Sequence, residues 1–343
     1  GTGWYRLDFE APEFGQGKTA TLIFDGAMSH ARAWLNGQEV GYWPYGYNSF
    51  HFDVTPYLKA EGTNTLAVRL ENQHEASRWY PGAGLYRNVH LVINEDAYVP
   101  TWGTQLTTPE VNRDFAKVNL KTSLAFPTGQ KIEDYRIVTE LKDATGKVVA
   151  KAEKQGTHYD GQGFEQDFVV DKPALWSPDS PALYTAESKI YEGNTLKDEY
   201  TTRFGIRSIE FIPDKGFFLN GEHTVFKGVC NHHDLGPLGG IANVAGIRRQ
   251  IRILKDMGCN AIRTSHNMPA PELVEACDEM GMMLMAESFD GWKSPKVPNG
   301  YNLLFDEWAE KDLVNLLRHF RNNPSIVMWC IGNSLPDQWN GTV

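Results

Sequence analysis

Four polar clusters stand out between residues 224 and 334: His232, His233 and Asp234; Arg263 and His266; Glu287 and Asp290; Asn333 and Ser334. Each follows a short apolar run, at 225–230, 259–262, 282–286 and 326–331. Carboxyl and imidazole groups move protons near neutral pH, while guanidinium and amide groups hold polar substrates. Such groups at the ends of four successive apolar runs imply a shared rim on which acid–base chemistry or polar recognition takes place. Within that rim, Arg263 would orient neighbouring carboxylates, and Glu287 and Asp290 would line the pocket or pair as strand-end ions. The run His232-His233-Asp234 also invites a metal reading. Adjacent residues of an extended chain point to opposite sides, however, so they chelate poorly together and no metal site is assigned. The 4 cysteines, Cys230, Cys259, Cys277 and Cys330, lack CxxC spacing and are expected to be buried free thiols.

The segments between the clusters carry helical patterns. Val244, Ile247, Ile251 and Leu254 form one stripe, which stops at Gly258. A second helix starts at Pro271, where a missing N–H costs little, and ends at Gly281. A third turns Phe305, Trp308, Leu313, Leu316, Leu317 and Phe320 inward and stops before Pro324. Strand and helix in strict alternation predict right-handed βαβ units and a parallel sheet, with the polar clusters on the catalytic face of a (β/α)8 barrel. A complete barrel takes about 250 residues and only about 130 are present, which predicts its first half. An open half exposes a parallel edge. The chain is therefore expected to be truncated at its C-terminus or completed by a partner chain.

Upstream, residues 1–97 read as a β-sandwich: strand-like runs at 19–24 and 65–70, and an Asn36-Gly37 pair that favours a tight hairpin. The Gly- and aromatic-rich segment 78–87 is expected to be a shaped loop that packs on a neighbouring domain or rims a pocket. Residues 98–207 alternate again, with a turn at 143–146, and predict an immunoglobulin-like sandwich acting as a spacer. The third segment is 208–343. A net charge of -10 without a basic stretch excludes a nucleic-acid footprint. No apolar run nears the ~20 residues of a membrane span. Aromatic residues make up 12%, including 10 Trp, enough to serve both packing and a saccharide cleft. Localisation stays unassigned: periplasmic or secreted if a leader has been removed, otherwise cytoplasmic.

Seven motifs, in order, carry a family resemblance: Gly1-Thr-Gly-Trp-Tyr-Arg6, Trp34-Leu-Asn-Gly37, Arg203-Phe-Gly-Ile-Arg207, Phe218-Leu-Asn-Gly-Glu222, Lys227-Gly-Val-Cys-Asn-His-His-Asp234, Asn260-Ala-Ile-Arg-Thr-Ser-His-Asn267 and Arg321-Asn-Asn-Pro-Ser-Ile-Val-Met-Trp-Cys-Ile-Gly-Asn333. Together they resemble glycoside hydrolase family 2, which includes β-galactosidases, β-glucuronidases and β-mannosidases. The resemblance implies a jelly roll, an immunoglobulin-like sandwich and a TIM barrel, and a retaining mechanism that needs two carboxyl groups about 5 Å apart. It assigns the acid/base to the residue after Asn333, which is Ser334 here, and the nucleophile to a seventh strand that these residues do not include. The resemblance gives Asp234 the sugar hydroxyls, with an ion pair to Arg263 as the other reading. His266 falls near the glycone or makes a structural hydrogen bond, and Asn333 contacts the 2-hydroxyl or acts as a cap. Met268 departs from the family's usual proline. The implied partner is a β-glycoside or oligosaccharide, and the segment 232–239 is most similar to the galactosidase branch. No cofactor is required, although some relatives bind a divalent or sodium ion, and a homo-oligomer stays open. Two readings from other classes accompany the hydrolase: a carbohydrate-binding protein that has lost its acid/base, and a structural fragment needing a partner chain.

Overall fold

The structure, a computed structural model, describes residues 1–126, 134–156 and 163–339. The first part is a sandwich of two antiparallel sheets. Thr2–Glu10, Thr63–Glu71, Ala31–Leu35 and Gln38–Trp43 make one, and Phe50–Asp53, Thr19–Phe24 and Val89–Asn94 the other. Alternation decides what each strand buries: Asn64, Leu66, Val68 and Leu70 point into a core with Phe24 and Phe50. Asn36 and Gly37 have φ of 54° and 82°, the positive pair expected of the hairpin between Ala31–Leu35 and Gln38–Trp43.

The second part is also two-layered. Val148–Gly156, Tyr135–Lys142, Tyr184–Glu192 and Thr195–Phe204 face Phe164–Asp171, Phe115–Thr122 and Thr104–Val111. A buried polar cluster between its sheets is paired internally: the Thr139 hydroxyl donates to Gln166 Oε1 at 2.7 Å and lies 2.8 Å from Ser188 Oγ.

The third part is the parallel sheet that alternation predicts. Its strands β1 (Gly228–Asn231), β2 (Ala261–Thr264), β3 (Met283–Glu287) and β4 (Ile326–Cys330) are hydrogen-bonded in that order. Helices α1 (Val244–Asp256), α2 (Pro271–Met280) and α3 (Phe305–Phe320) connect them. Asn243 caps α1 by accepting from Gly246 N–H at 2.9 Å, and Gly281 ends α2 at φ 75°. The helix stripes are corrected at two positions: Val244, in the first turn of α1, is 52% exposed, and Leu317 on α3 is 42% exposed. The cysteines are all free, but only Cys277 is buried and Cys230 is exposed. Cys230 lies in register with Arg263, and this open sheet leaves the face they share uncovered.

The parts are joined by buried polar contacts. Arg87 of the first sandwich reaches the carbonyls of Met268 and Pro269 at 2.9 and 3.3 Å. Asp312, wholly buried on α3, accepts from Trp43 Nε1 at 2.8 Å, from Asn48 Nδ2 at 2.7 Å and from the Tyr301 hydroxyl. Arg207 bonds the carbonyls of Pro324 and Ile326, both at 2.9 Å, and so holds the second sandwich against the start of β4.

Candidate active site

Side chains at the carboxyl ends of β2, β3 and β4 converge. The ends of parallel strands stand side by side, so the last residues of one strand reach those of the next. Arg263 on β2 grips Glu287 on β3 with two bonds, Nε to Oε2 at 2.7 Å and a second nitrogen to Oε1 at 3.1 Å. The same guanidinium donates to Asn333 Oδ1, just past β4, at 3.2 Å. Asn333 Nδ2 donates to Asp290 Oδ1 at 3.0 Å. Its amide is thus oriented from both ends, oxygen toward Arg263 and nitrogen toward Asp290.

Glu287 is fully buried. Burial pushes its carboxyl up to about 7, against the opposing pull of the Arg263 bonds. Asp290 is driven the other way. Burial would raise it, but the bonds from Arg78 and Asn333 and the charges of Lys296 and Arg78 outweigh that and hold it at about 2. The two carboxyls are therefore shifted in opposite directions by their surroundings. His266 Nδ1 lies 3.1 and 3.2 Å from the two Glu287 oxygens. Burial and then the Arg263 charge lower its proton affinity. A neutral ring whose Nδ1–H donates to Glu287 has Nε2 as its acceptor.

Asp234 is not part of this network. It sits three residues beyond the end of β1, in the turn toward residues 236–238, and is half-buried. The ion pair with Arg263 that was its alternative role does not form: Arg263 spends both arms on Glu287 and Asn333, which adjacent strands bring closer. His232 and His233 diverge, as neighbours in an extended segment do. The His232 ring lies 5.2 Å from Trp79 and 5.8 Å from His266. His233 turns to the first sandwich, where Nε2 donates to the Pro81 carbonyl at 2.8 Å and the ring lies 5.2 Å from Tyr47. Burial first, then the Arg87 charge, lowers His233 to about 4. Among the described residues, no group of three or more His, Cys, Asp or Glu is arranged to hold a metal ion.

Three site residues lay outside the sequence reading of the rim. Arg78 grips Asp290 with two bonds, one of 2.8 Å from Nε, and Lys296 Nζ bonds Asp290 Oδ1 at 3.2 Å and the Asn333 carbonyl. Trp79 lies 5.9 Å from His266, ring to ring. Arg78 and Trp79 belong to the loop 78–87, which both packs on the third part through Arg87 and rims the site. Its unusual composition was the available signal. Lys296, in a loop of Pro, Gly and Ser, gave none. Ser334 has φ 43° and is exposed, with its hydroxyl 3.4 Å from Asn333 Oδ1.

Three family matches span most of the chain. Residues 1–94 match "Glycosyl hydrolases family 2, sugar binding domain", residues 103–207 match "Glycosyl hydrolases family 2", and residues 211–340 match "Glycosyl hydrolases family 2, TIM barrel domain". A β-galactosidase of Bacteroides ovatus is 43% identical over 99% of this chain and 40% of its own length. A crystal structure of a glycosyl hydrolase family 2 member from Bacteroides cellulosilyticus superposes with a TM-score of 0.96 at 36% identity, over 98% of this chain and 44% of that one. A Bacteroides uniformis β-glucuronidase superposes at 0.86 with 28% identity, over 100% of this chain and 42% of that one. The chain thus spans less than half the length of these relatives.

Proposed function

This chain belongs to glycosyl hydrolase family 2, and on that premise we propose that its rim is the glycone site of an exo-acting, retaining β-glycosidase. The observation that carries this is the hydrogen-bonded set His266, Glu287, Arg263, Asn333 and Asp290 at the ends of parallel strands. It fixes an amide and a neutral imidazole at one rim, the groups that hold sugar hydroxyls, and a 2-hydroxyl contact from Asn333 would strengthen in the transition state. Asp234 is proposed to contact hydroxyls from the β1 side. A terminal β-galactoside is the first substrate to try, given the resemblance of 232–239 to that branch and the name of the 43% identical relative.

These 343 residues are proposed to lack turnover. The acid/base position is Ser334, whose hydroxyl does not release a proton at neutral pH, and loss of general acid catalysis costs about 10²- to 10⁴-fold. Glu287 does not replace it: its affinity near pH 7 suits a general acid, but both oxygens are buried under Arg263 and His266. The exposed Ser334 also favours a second reading, a carbohydrate-binding protein that keeps the pocket without hydrolysis. The test compares the 343-residue chain with a polypeptide carrying the complete barrel, as Ser334 and as Ser334→Glu, on aryl β-galactoside, β-glucuronide and β-mannoside. We expect no turnover from the former and a gain of about 10²- to 10⁴-fold from Ser334→Glu in the latter. Cleavage of none of the three by the complete Ser334→Glu form would overturn the substrate reading.

A further inference from the structure

Asp290 accepts two bonds from Arg78, one of them 2.8 Å from Nε, one from Lys296 Nζ at 3.2 Å and one from Asn333 Nδ2 at 3.0 Å. A carboxylate has about four acceptor positions, so these bonds fill it. A carboxylate engaged in this way acts on its neighbours rather than on a sugar hydroxyl. We propose that Arg78, carried by the first sandwich, is a positioning residue of the barrel site: through Asp290 it fixes the rotation of the Asn333 amide, and with it the contact that amide makes to the sugar's 2-hydroxyl. The inference rests on the glycosidase reading of the rim.

The two ends of a side-chain amide have nearly the same shape and differ in donating or accepting, so hydrogen-bond partners, not packing, fix its rotation. Arg263 marks the oxygen end of Asn333, but at 3.2 Å and with a nitrogen that it shares with Glu287 Oε1. The shorter bond runs from Nδ2 to Asp290 and uses one of the two amide hydrogens. Asp290 can mark the nitrogen end only while its own carboxylate plane is fixed. Lys296 supplies charge and holds the main chain, since Nζ also bonds the carbonyls of Asp290 and Asn333. An ammonium is a point charge, however, and does not set the plane of a carboxylate. The Arg78 guanidinium does, because its two bonds engage both oxygens at once.

The grip on Asp290 is separable from the docking of the two parts. The loop that carries Arg78 is held by other contacts: Trp79 Nε1 donates to the Tyr47 hydroxyl at 3.0 Å, and Arg87 crosses the seam to the carbonyls of Met268 and Pro269. On the barrel side, Asn299 bonds the carbonyls of His74 and Glu75 at 2.7 and 3.0 Å. The Arg78 side chain is itself 40% exposed, where an ion pair contributes little to stability. Removing it should therefore leave the parts docked and change the site.

Kinetics of the complete-barrel Ser334→Glu polypeptide on aryl β-galactoside, β-glucuronide and β-mannoside, each beside its 2-deoxy analogue, test this. A 2-hydroxyl contact that strengthens in the transition state acts on kcat. On the glycoside that is cleaved, Arg78→Leu should therefore lower kcat about tenfold with KM little changed, and leave kcat for the 2-deoxy analogue within about twofold. Asn333→Ala should show the same selectivity, and the double variant should lose no more than Asn333→Ala alone. Arg78→Lys, the milder variant, keeps a charge beside Asp290 without the fork and should lose part of the same advantage. An equal loss on both members of a pair, from Arg78→Leu or from Asn333→Ala, overturns the positioning role while the glycosidase reading stands. Losses that add in the double variant, or no loss from Arg78→Leu, do the same. Turnover of none of the glycosides overturns the glycosidase reading, and this one with it.

Discussion

Replacing Glu287 by Gln gives the sharpest test of the site's electrostatics. Gln keeps the volume and an acceptor oxygen but cannot titrate. In the folded chain Glu287 ionises at about 7, against an ordinary value of 4.5, because it is buried. A carboxyl with a raised folded pKa binds its proton more tightly when folded than when unfolded. The stability this contributes is complete below pH 4.5 and is lost as pH rises through 7. Each pH unit between the two values is worth about 1.4 kcal/mol, so the whole effect is about 3 kcal/mol. Urea unfolding of wild type and Glu287→Gln, followed by tryptophan fluorescence from pH 4.5 to 8, isolates it, because all other titrations cancel in the difference. The wild type should lose about 3 kcal/mol relative to the variant across that range. Parallel curves would refute the claim that burial outweighs the Arg263 ion pair in setting this carboxyl's affinity.

Three further outcomes follow from named contacts. Asp312→Leu leaves the Trp43, Asn48 and Tyr301 donors unpaired at a buried seam and should cost about 3–5 kcal/mol in chemical denaturation; Asp312→Asn, which keeps an acceptor, should cost less than half of that. Arg78→Leu frees Asp290, whose depressed value of about 2 contributes stability above its ordinary pKa that disappears as pH falls through 2. With Arg78 40% exposed and its charge screened, the variant should lose only about 1 kcal/mol at pH 7 and nothing at pH 2, and an equal loss at both would exclude this role. Gly281→Ala should cost well over 1 kcal/mol, since φ is 75° and a Cβ would lie 2.2 Å from the Pro178 carbonyl oxygen; Gly258→Ala, at φ 87° in open space, should cost only about 1 kcal/mol by thermal melting.

Much of the architecture was legible because it is written in periodicity. Pro271 and Gly281 bracket α2 as read, and the Asn36-Gly37 turn forms with both residues at positive φ. The helix stripes failed at Val244 and Leu317, where a position's spacing is right but no neighbouring element covers it. The thiol of Cys230 was misjudged for the same reason: composition says what can be buried, and the surrounding sheet decides whether it is.

What the amino-acid sequence determined by itself was the order of elements and the chemical types at the strand ends, since strand and helix periods and turn residues act over a few neighbours. It therefore brought Arg263, His266, Glu287, Asp290 and Asn333 to one rim. Only the tertiary structure decided who pairs with whom. Arg78 meets Asp290 across 212 positions of chain, Lys296 reaches the Asn333 carbonyl from a loop, and Asp234 stands apart from the pair that Arg263 makes. Hydrogen bonds act over about 3 Å, and that proximity is set by how loops and domains pack against one another.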